Sequence, residues 1–449
     1  MYRICFFLVL IGLLIGCEDT SVRPSPPSRT YERINTFTKD KMTDQYFWAD
    51  EVKDKKIEAD LDPLTYFANM KYEKDPWSRI TKSQGFGEIA DASGYENGFG
   101  YHLNFWEDKG YIIAEVNFVY DNSPAAKAGI KRGDLITRMD GKKITTENYT
   151  NLYYKSVLSI GLSEDEVSEP YKTIELTAQN FTINPILAYG VIDHEERKIG
   201  HIAYSSFVYR NTTSLLQLNN VFQKLKEEGI EELILDLRYN SGGYMLAVKR
   251  LCSLIAPESV VESEEILIHK RWNDVYQEKY ADIPEQLEER FDKTVPADSR
   301  LNLSRLWVIT GKETASASEL LISALSPYME VNVIGVPTVG KNMGGITFTP
   351  TESDLQGWNI TLISLLYTNS RGESVRGGIQ PKEYIPEPFP HRYELDDVND
   401  PLLAATLALI PGKTPVVLKS RSMSVEKYNR IIPEKASSVV IFEDHIISF

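Results

Sequence analysis

Cysteine is scarce: Cys5, Cys17 and Cys252 are the only three in 449 residues. Three cysteines cannot build a disulfide framework, and no Cys/His spacing of the zinc-site kind occurs. Histidine is also thin, with His102, His194, His201, His269, His391 and His445. Basic residues are in deficit, 49 against 64 acidic ones, for a net charge of −15. An acidic chain lacks the basic surface a nucleic-acid partner requires. Phosphate-loop and dinucleotide fingerprints are missing, so neither a metal nor an organic cofactor is implied. What is present is ordinary globular material: 42% hydrophobic residues over a length that predicts two or three domains.

The first residues, MYRICFFLVLIGLLIGC, place Arg3 before an apolar run from Phe6 to Ile15. The run is too short to span a bilayer comfortably and reads as a signal peptide over 1–16. Leu14-Ile15-Gly16-Cys17 resembles a bacterial lipobox, in which the cysteine is diacylated and becomes the new N-terminus. The alternative is an ordinary secretory signal with an incidental cysteine. A polar, Pro/Ser-rich tether over 17–30 follows. The expectation is a chain held to the bacterial cell envelope by lipid on Cys17, on the periplasmic or surface face of the outer membrane. Cys252, in the apolar run KRLCSLIA, is then a lone core thiol.

The chemistry concentrates in LWVITGKETASASELLISALSPYMEVNVIGVPTVGKNMGG, residues 306–345. Leu306 to Ile309 reads as a buried strand, and Gly311 breaks it. Thr314 is placed to cap a helix of small residues followed by Leu320, Leu321, Ile322, Ala324 and Leu325. Glu319 falls at the favourable end of the helix dipole, and Pro327 ends the helix. A second strand, Val331 to Val336, leads to Lys341. A serine at a strand-to-helix turn lies near unpaired N–H groups that stabilise an oxyanion. It needs a base, and a desolvated lysine is neutral enough to serve. The plain alternative is close helix packing by Ser316 and Ser318 with a solvated Lys341. TASASE followed by Gly-Lys resembles the C-terminal processing (tail-specific) serine peptidases. The resemblance implies Ser316 as nucleophile and Lys341 as general base.

Residues 31–85 read as an N-terminal helical domain with an aromatic core (Tyr46, Phe47, Trp48, Tyr66, Phe67, Trp77) and an Asp62-Pro63 helix start. Residues 86–180 change character. A strand is expected over 112–119, a short helix at Ser123-Pro124 closed by Gly129, a strand over 135–139 and a tight turn at Asp140-Gly141. SPAAKAGIKRGDLI resembles the PDZ domains of bacterial proteases. GFGYHL resembles their carboxylate loop and edge strand, which implies C-terminal peptide binding at Gly98, Phe99, Gly100 and Tyr101 by β-augmentation. The alternative is a purely structural β-rich domain.

The region 190–412 reads as the mixed α/β core. A helix is expected over 213–228 and a buried strand over 233–237, followed by Arg238, Asn240, Gly242 and Gly243. These four resemble the peptidase family's Arg-x-Asn-x-Gly-Gly signature. By resemblance, the oxyanion hole is Gly242 or Gly243 with Ala317. Residues 257–300 read as an irregular insertion over the site, and 413–449 as an extension whose run VVIFEDHIISF can add a strand. Ser424-Val425-Glu426-Lys427 matches an SxxK motif but lacks its companion motifs.

One departure stands out. Family members often carry a glutamine at the position of Gly345, where it helps orient the lysine. Either another group holds Lys341, such as Asn342 or a residue of 260–300, or activity is reduced. The reading is a multi-domain α/β protein with a ClpP/crotonase-like core. Its expected function is a membrane-tethered Ser/Lys endopeptidase acting on unfolded or C-terminally recognised polypeptides. The second reading is an inactive peptide- or glycan-binding lipoprotein on the same fold.

Overall fold

The computed structural model describes residues 29–82, 95–165, 168–208, 212–410, 429–431 and 441–442. The signal-like run, Cys17 and Ser424–Lys427 lie outside these residues. Among the described residues no helix is long and apolar enough to cross a membrane.

Helices α1 (Arg29–Asp44), α2 (Ala49–Val52) and α3 (Pro63–Met70) open the described chain. The proposed tether thus ends inside a helix. Asp62 caps α3 by accepting from Leu64 and Thr65 N–H, with Pro63 at the first helical position. Strand β1 (Arg79–Lys82) pairs antiparallel with β18 (Trp358–Asn369), described below. Ile34, Met42, Tyr46, Tyr66, Phe67 and Met70 pack with Ile80, Trp358, Ile360 and Leu362. The helical region therefore has no private core; it shares one with a strand far along the chain.

Next come β2 (Tyr95–Gly98), β3 (Tyr101–Asp108), β4 (Tyr111–Val119), α4 (Pro124–Lys127), β5 (Leu135–Met139) and β6 (Lys142–Lys143). Then follow α5 (Asn151–Tyr154), β7 (Val157–Ser163), β8 (Lys172–Thr177) and β9 (Gln179–Thr182). Ser123 caps α4. Asp140 and Gly141 both have positive φ, 51° and 73°, as a tight two-residue hairpin turn requires. The sheet order β3-β4-β5-β7-β8 encloses Leu103, Phe105, Val116, Ile136, Ile160 and Leu176.

The core begins with β10 (Ile186–His194), β11 (Arg197–Tyr204), α6 (Thr212–Glu227), β12 (Glu232–Asp236) and α7 (Met245–Ile255). Residues 257–300 form α8 (Glu258–Glu262), β13 (Ile266–Trp272), α9 (Asp274–Lys279), α10 (Pro284–Leu287) and β14 (Glu288–Arg290). Then come β15 (Arg305–Thr310), α11 (Ala317–Leu325), β16 (Glu330–Gly335), β17 (Met343–Phe348), β18, β19 (Glu383–Tyr384) and α12 (Pro401–Leu409). Strands β20 (Asn429–Ile431) and β21 (Ile441–Phe442) close the order.

One sheet runs β10-β11-β12-β15-β16-β19, parallel from β11 onward. Leu233, Leu235, Leu306, Val308 and Val333 pack with α7 and α11. Their neighbours Ile234, Trp307, Ile309 and Ile334 face Leu402, Leu403 and Leu407 of α12. Burial on both faces explains why these strands read as unbroken apolar runs. A second sheet, β14-β13-β18-β17-β21, takes in the charged 257–300 region through β13 and β18. That region is a sheet extension.

Candidate active site

The strand β15 delivers the chain through Gly311 into a turn that ends at Ser316, directly before α11. Gly311 lies so close to the Arg238 carbonyl that a Cβ there would sit 2.1 Å from its oxygen. Thr314 does not cap the helix as its position suggested. Its Oγ1 accepts from Gly311 N–H and donates to the Leu237 carbonyl, both at 2.8 Å. The helix starts instead from Ser316, whose backbone is at φ 60°, ψ −117°. A non-glycine residue held there is strained by about 1–3 kcal/mol, and such strain collects at active sites.

Glu319 holds this geometry. Its Oε2 accepts from Ser316 N–H at 2.8 Å and from Lys341 N–H at 2.8 Å. Its Oε1 accepts from Gly340 N–H at 2.6 Å and from the Thr338 hydroxyl. One buried carboxylate thus ties the turn before α11 to the loop after β16. The sequence marked Glu319 only as a dipole partner; its spacing to Ser316 was visible, but the loop it captures was not.

The Arg238-Tyr239-Asn240-Ser241-Gly242-Gly243 turn faces Ser316. Asn240 donates to the Tyr204 carbonyl at 2.8 Å, and its own carbonyl accepts from Ser318 Oγ at 3.0 Å and Ala315 N–H at 3.2 Å. Gly242 has φ +114°, and a Cβ there would lie 2.7 Å from Ser316 Cβ and 3.0 Å from Ala317 N. Gly243, at φ +146°, presses on the Phe207 carbonyl. The Gly242 N–H is taken up by Asn240 Oδ1 at 2.9 Å. Gly242 therefore supplies closeness, and its N–H is not available as an oxyanion donor. The N–H groups of Gly243 and Ala317 carry no acceptor among the described residues.

Lys341 is 1% exposed. Burial drives its ammonium well below the ordinary lysine range; the Arg79 charge pushes the same way, while Glu319 and Asp75 oppose. Its Nζ lies 4.4 Å from the Trp77 ring centroid. Ser316 Oγ is enclosed and makes no hydrogen bond among the described residues. The structure therefore brings the two backbones together through Glu319 without joining the two side chains. The environment of Lys341 comes from the N-terminal segment, through Asp75, Trp77 and Arg79. Asn342 turns away, donating to Ser374 Oγ at 2.6 Å and the Tyr367 carbonyl at 3.4 Å. Gly345 sits in β17 opposite Ile363.

Arg238 anchors the glycine turn from below. It is 2% exposed and bonds Asp236 and Asp400, at 2.8–3.0 Å to the latter. Glu387 joins the cluster, accepting from Arg238 and Arg132 and from the Tyr239 hydroxyl. Burial would raise the Glu387 carboxyl, but His391, Arg238 and Arg132 together hold it far below the carboxylate range. Arg132 belongs to the segment between α4 and β5, and also donates to Tyr239 at 2.7 Å. The second domain is thus wired to the turn beside Ser316. The sequence showed these charges but not their partners. His391 contacts Tyr239 and Asn117 at 3.1 and 3.0 Å, and burial pushes it down to about 3. Cys252 is buried, with its thiol pushed up by burial.

The four residues assigned to peptide capture are placed differently from one another. Phe99 and Tyr101 are in the domain core, and the Tyr101 hydroxyl donates to the Leu152 carbonyl at 2.7 Å. Gly98 pairs with Gln179. Gly100, at φ +80°, abuts Ser123. Among the described residues no group of three or more His, Cys, Asp or Glu side chains is disposed to hold a metal ion.

Strand-to-helix serine, buried lysine and an attached β-rich domain define a serine-type peptidase with a PDZ domain. Residues 198–385 match peptidase family S41, and residues 115–153 match the PDZ domain. The carboxyl-terminal-processing protease of Synechocystis is 24% identical over 358 residues, covering 78% of this chain and 77% of that one. The carboxy-terminal-processing protease of Bartonella bacilliformis is 23% identical, covering 72% and 70%. A solved Bacteroides fragilis protein described as an S41 protease superposes with a TM-score of 0.67 at 22% identity, covering 84% of this chain and 96% of that one. The S41 and PDZ matches and these relatives together support a serine-type peptidase of the C-terminal processing kind.

Proposed function

We propose that the chain is a membrane-tethered endopeptidase in which Ser316 attacks the peptide carbonyl and neutral Lys341 takes the serine proton. The lysine then passes that proton to the leaving amine, and water hydrolyses the acyl-enzyme in the second half. Gly243 and Ala317 N–H groups hold the oxyanion, and unfolded or C-terminally recognised polypeptides are the substrates. The carrying observation is the single Glu319 carboxylate that receives both Ser316 and Lys341 N–H groups. It supports this reading because it ties the strained serine to a lysine whose pKa burial lowers. Lipid on Cys17 is the proposed anchor.

The test is cleavage of an unfolded protein by a soluble form lacking residues 1–17, beside Ser316→Ala and Lys341→Ala. Cleavage by the parent and a loss of about 10³-fold or more in each variant is expected. A folded parent inactive across pH ~6–10, the span in which such a lysine loses its proton, overturns the reading. One observation favours the second reading, an inactive peptide-binding lipoprotein: Ser316 Oγ makes no bond to Lys341. A reactive-serine probe separates them, since only an active site labels at Ser316.

A further inference from the structure

The carboxy-terminal extension returns to two strand edges, those of β3 and β17. Strand β20 pairs antiparallel with β3, matching Asn429 to Glu107, Arg430 to Trp106 and Ile431 to Phe105. Strand β21 pairs parallel with β17, matching Ile441 to Gly344 and Phe442 to Gly345, just beyond Lys341.

The β3 edge is covered at Leu103 and at Phe105 to Glu107. Leu103 N–H donates to the Tyr153 hydroxyl at 2.9 Å, and that hydroxyl reaches back toward the Leu103 carbonyl at 3.5 Å. Main-chain groups alternate direction along a strand, so those of Phe105 and Glu107 face the same edge, where β20 lies. Antiparallel pairing sends β20 toward Tyr101. That is the polarity of a ligand whose carboxylate ends at the Gly98–Tyr101 turn. At about 3.4 Å per residue, a peptide seated there meets the β20 position roughly four residues back.

The dock has a side-chain lock. Arg430 pairs with Glu313 at 2.8 Å, with side-chain exposures of 9% and 6%. It also donates to Asn104 and lies over the Trp106 ring at 5.9 Å. Glu313 stands in the turn leading to Ser316 and also meets His102 of β3 at 3.0 Å. The lock thus joins the extension, the PDZ edge strand and the loop that carries the nucleophile.

We infer that the carboxy-terminal extension is an intramolecular ligand of the PDZ edge strand, an autoinhibitory contact that a substrate tail must displace. Its effect on cleavage rests on the peptidase reading; the docking itself does not. The occupied edge lowers the apparent affinity for C-terminal peptides by the fraction of molecules in which it is open.

Hydrogen exchange and cleavage of β-casein, an unfolded protein, test this on the full chain, Arg430→Glu, and a chain ending at Ile410. The amides of Phe105 and Glu107 should exchange about tenfold faster or more in both variants. Cleavage should rise roughly three- to tenfold, as expected from releasing a closed population, and vanish again on adding Ser316→Ala. Unchanged exchange in both variants overturns the docking. Faster exchange without faster cleavage overturns the autoinhibition. If every form is inert on β-casein, the peptidase reading falls together with the autoinhibition, while exchange still decides the docking.

Discussion

The backbone N–H groups of Ser316 and Lys341 converge on one oxygen, Oε2 of Glu319, each at 2.8 Å. The residues are far apart in sequence, yet the candidate nucleophile and base share one anchor. The anchor acts on the main chain of both residues.

Glu319→Gln tests that anchor. An amide offers one acceptor oxygen where the carboxylate offers two, and its NH₂ faces N–H and O–H donors. At least one buried donor then goes unpaired, at about 1–3 kcal/mol. We expect kcat to fall roughly ten- to a hundredfold, the rate equivalent of 1.4–2.7 kcal/mol, with KM much less changed. Equal losses in kcat and stability-matched controls at unrelated core sites would argue against positioning.

The pH profile reports on Lys341. As the base it must be neutral, so kcat/KM rises with pH along a limb set by its pKa, which burial and Arg79 hold well below the ordinary lysine value. Arg79→Gln removes a like charge, which raises the lysine pKa and moves the limb to higher pH. A limb that stays in place shows that Arg79 is not felt at the base.

Gly242→Ala probes closeness. The new Cβ would fall 2.7 Å from Ser316 Cβ in a backbone at φ +114°, where a side chain costs about 1–3 kcal/mol. Cleavage should drop by about 10²-fold or more through displacement of Ser316. Gly372→Ala is the control: its positive φ carries the backbone strain, but nothing lies within 4 Å of the new Cβ. Equal activity in Gly242→Ala and the control would sink the packing argument.

Stability should depend on Glu115. It accepts from Trp106 Nε1 at 3.0 Å, and burial pushes its carboxyl from 4.5 up to about 8. The folded state therefore holds a proton that the unfolded chain releases earlier. The stability this contributes is complete below pH ~4.5 and is lost as pH rises through ~8. Glu115→Gln should flatten the wild-type decline in Tm between pH 5 and 9, and a parallel decline in both proteins would refute the assignment.

Much of this was legible locally. The strands around 233–237, 306–309 and 331–336 read directly because alternate residues bury on opposite faces. The caps at Asp62 and Ser123 follow from side chains that bond N–H groups two or three residues on. Thr314 misled because its hydroxyl found a distant carbonyl, that of Leu237 just past β12. The surroundings of Lys341 were equally hidden: Trp77 and Arg79 reach it only because β1 joins the second sheet.

The sequence by itself determined the periodicities, the glycine turns and the two reactive residue types, since these depend on neighbours within a few positions. Tertiary structure alone decided which carboxylate joins Ser316 to Lys341 and which glycine N–H is left free. It also decided that Arg132 and Arg238 share Glu387, and that Arg430 returns to Glu313. These are contacts between distant segments, whose energies depend on burial and on the geometry of packed elements, and no local pattern encodes either.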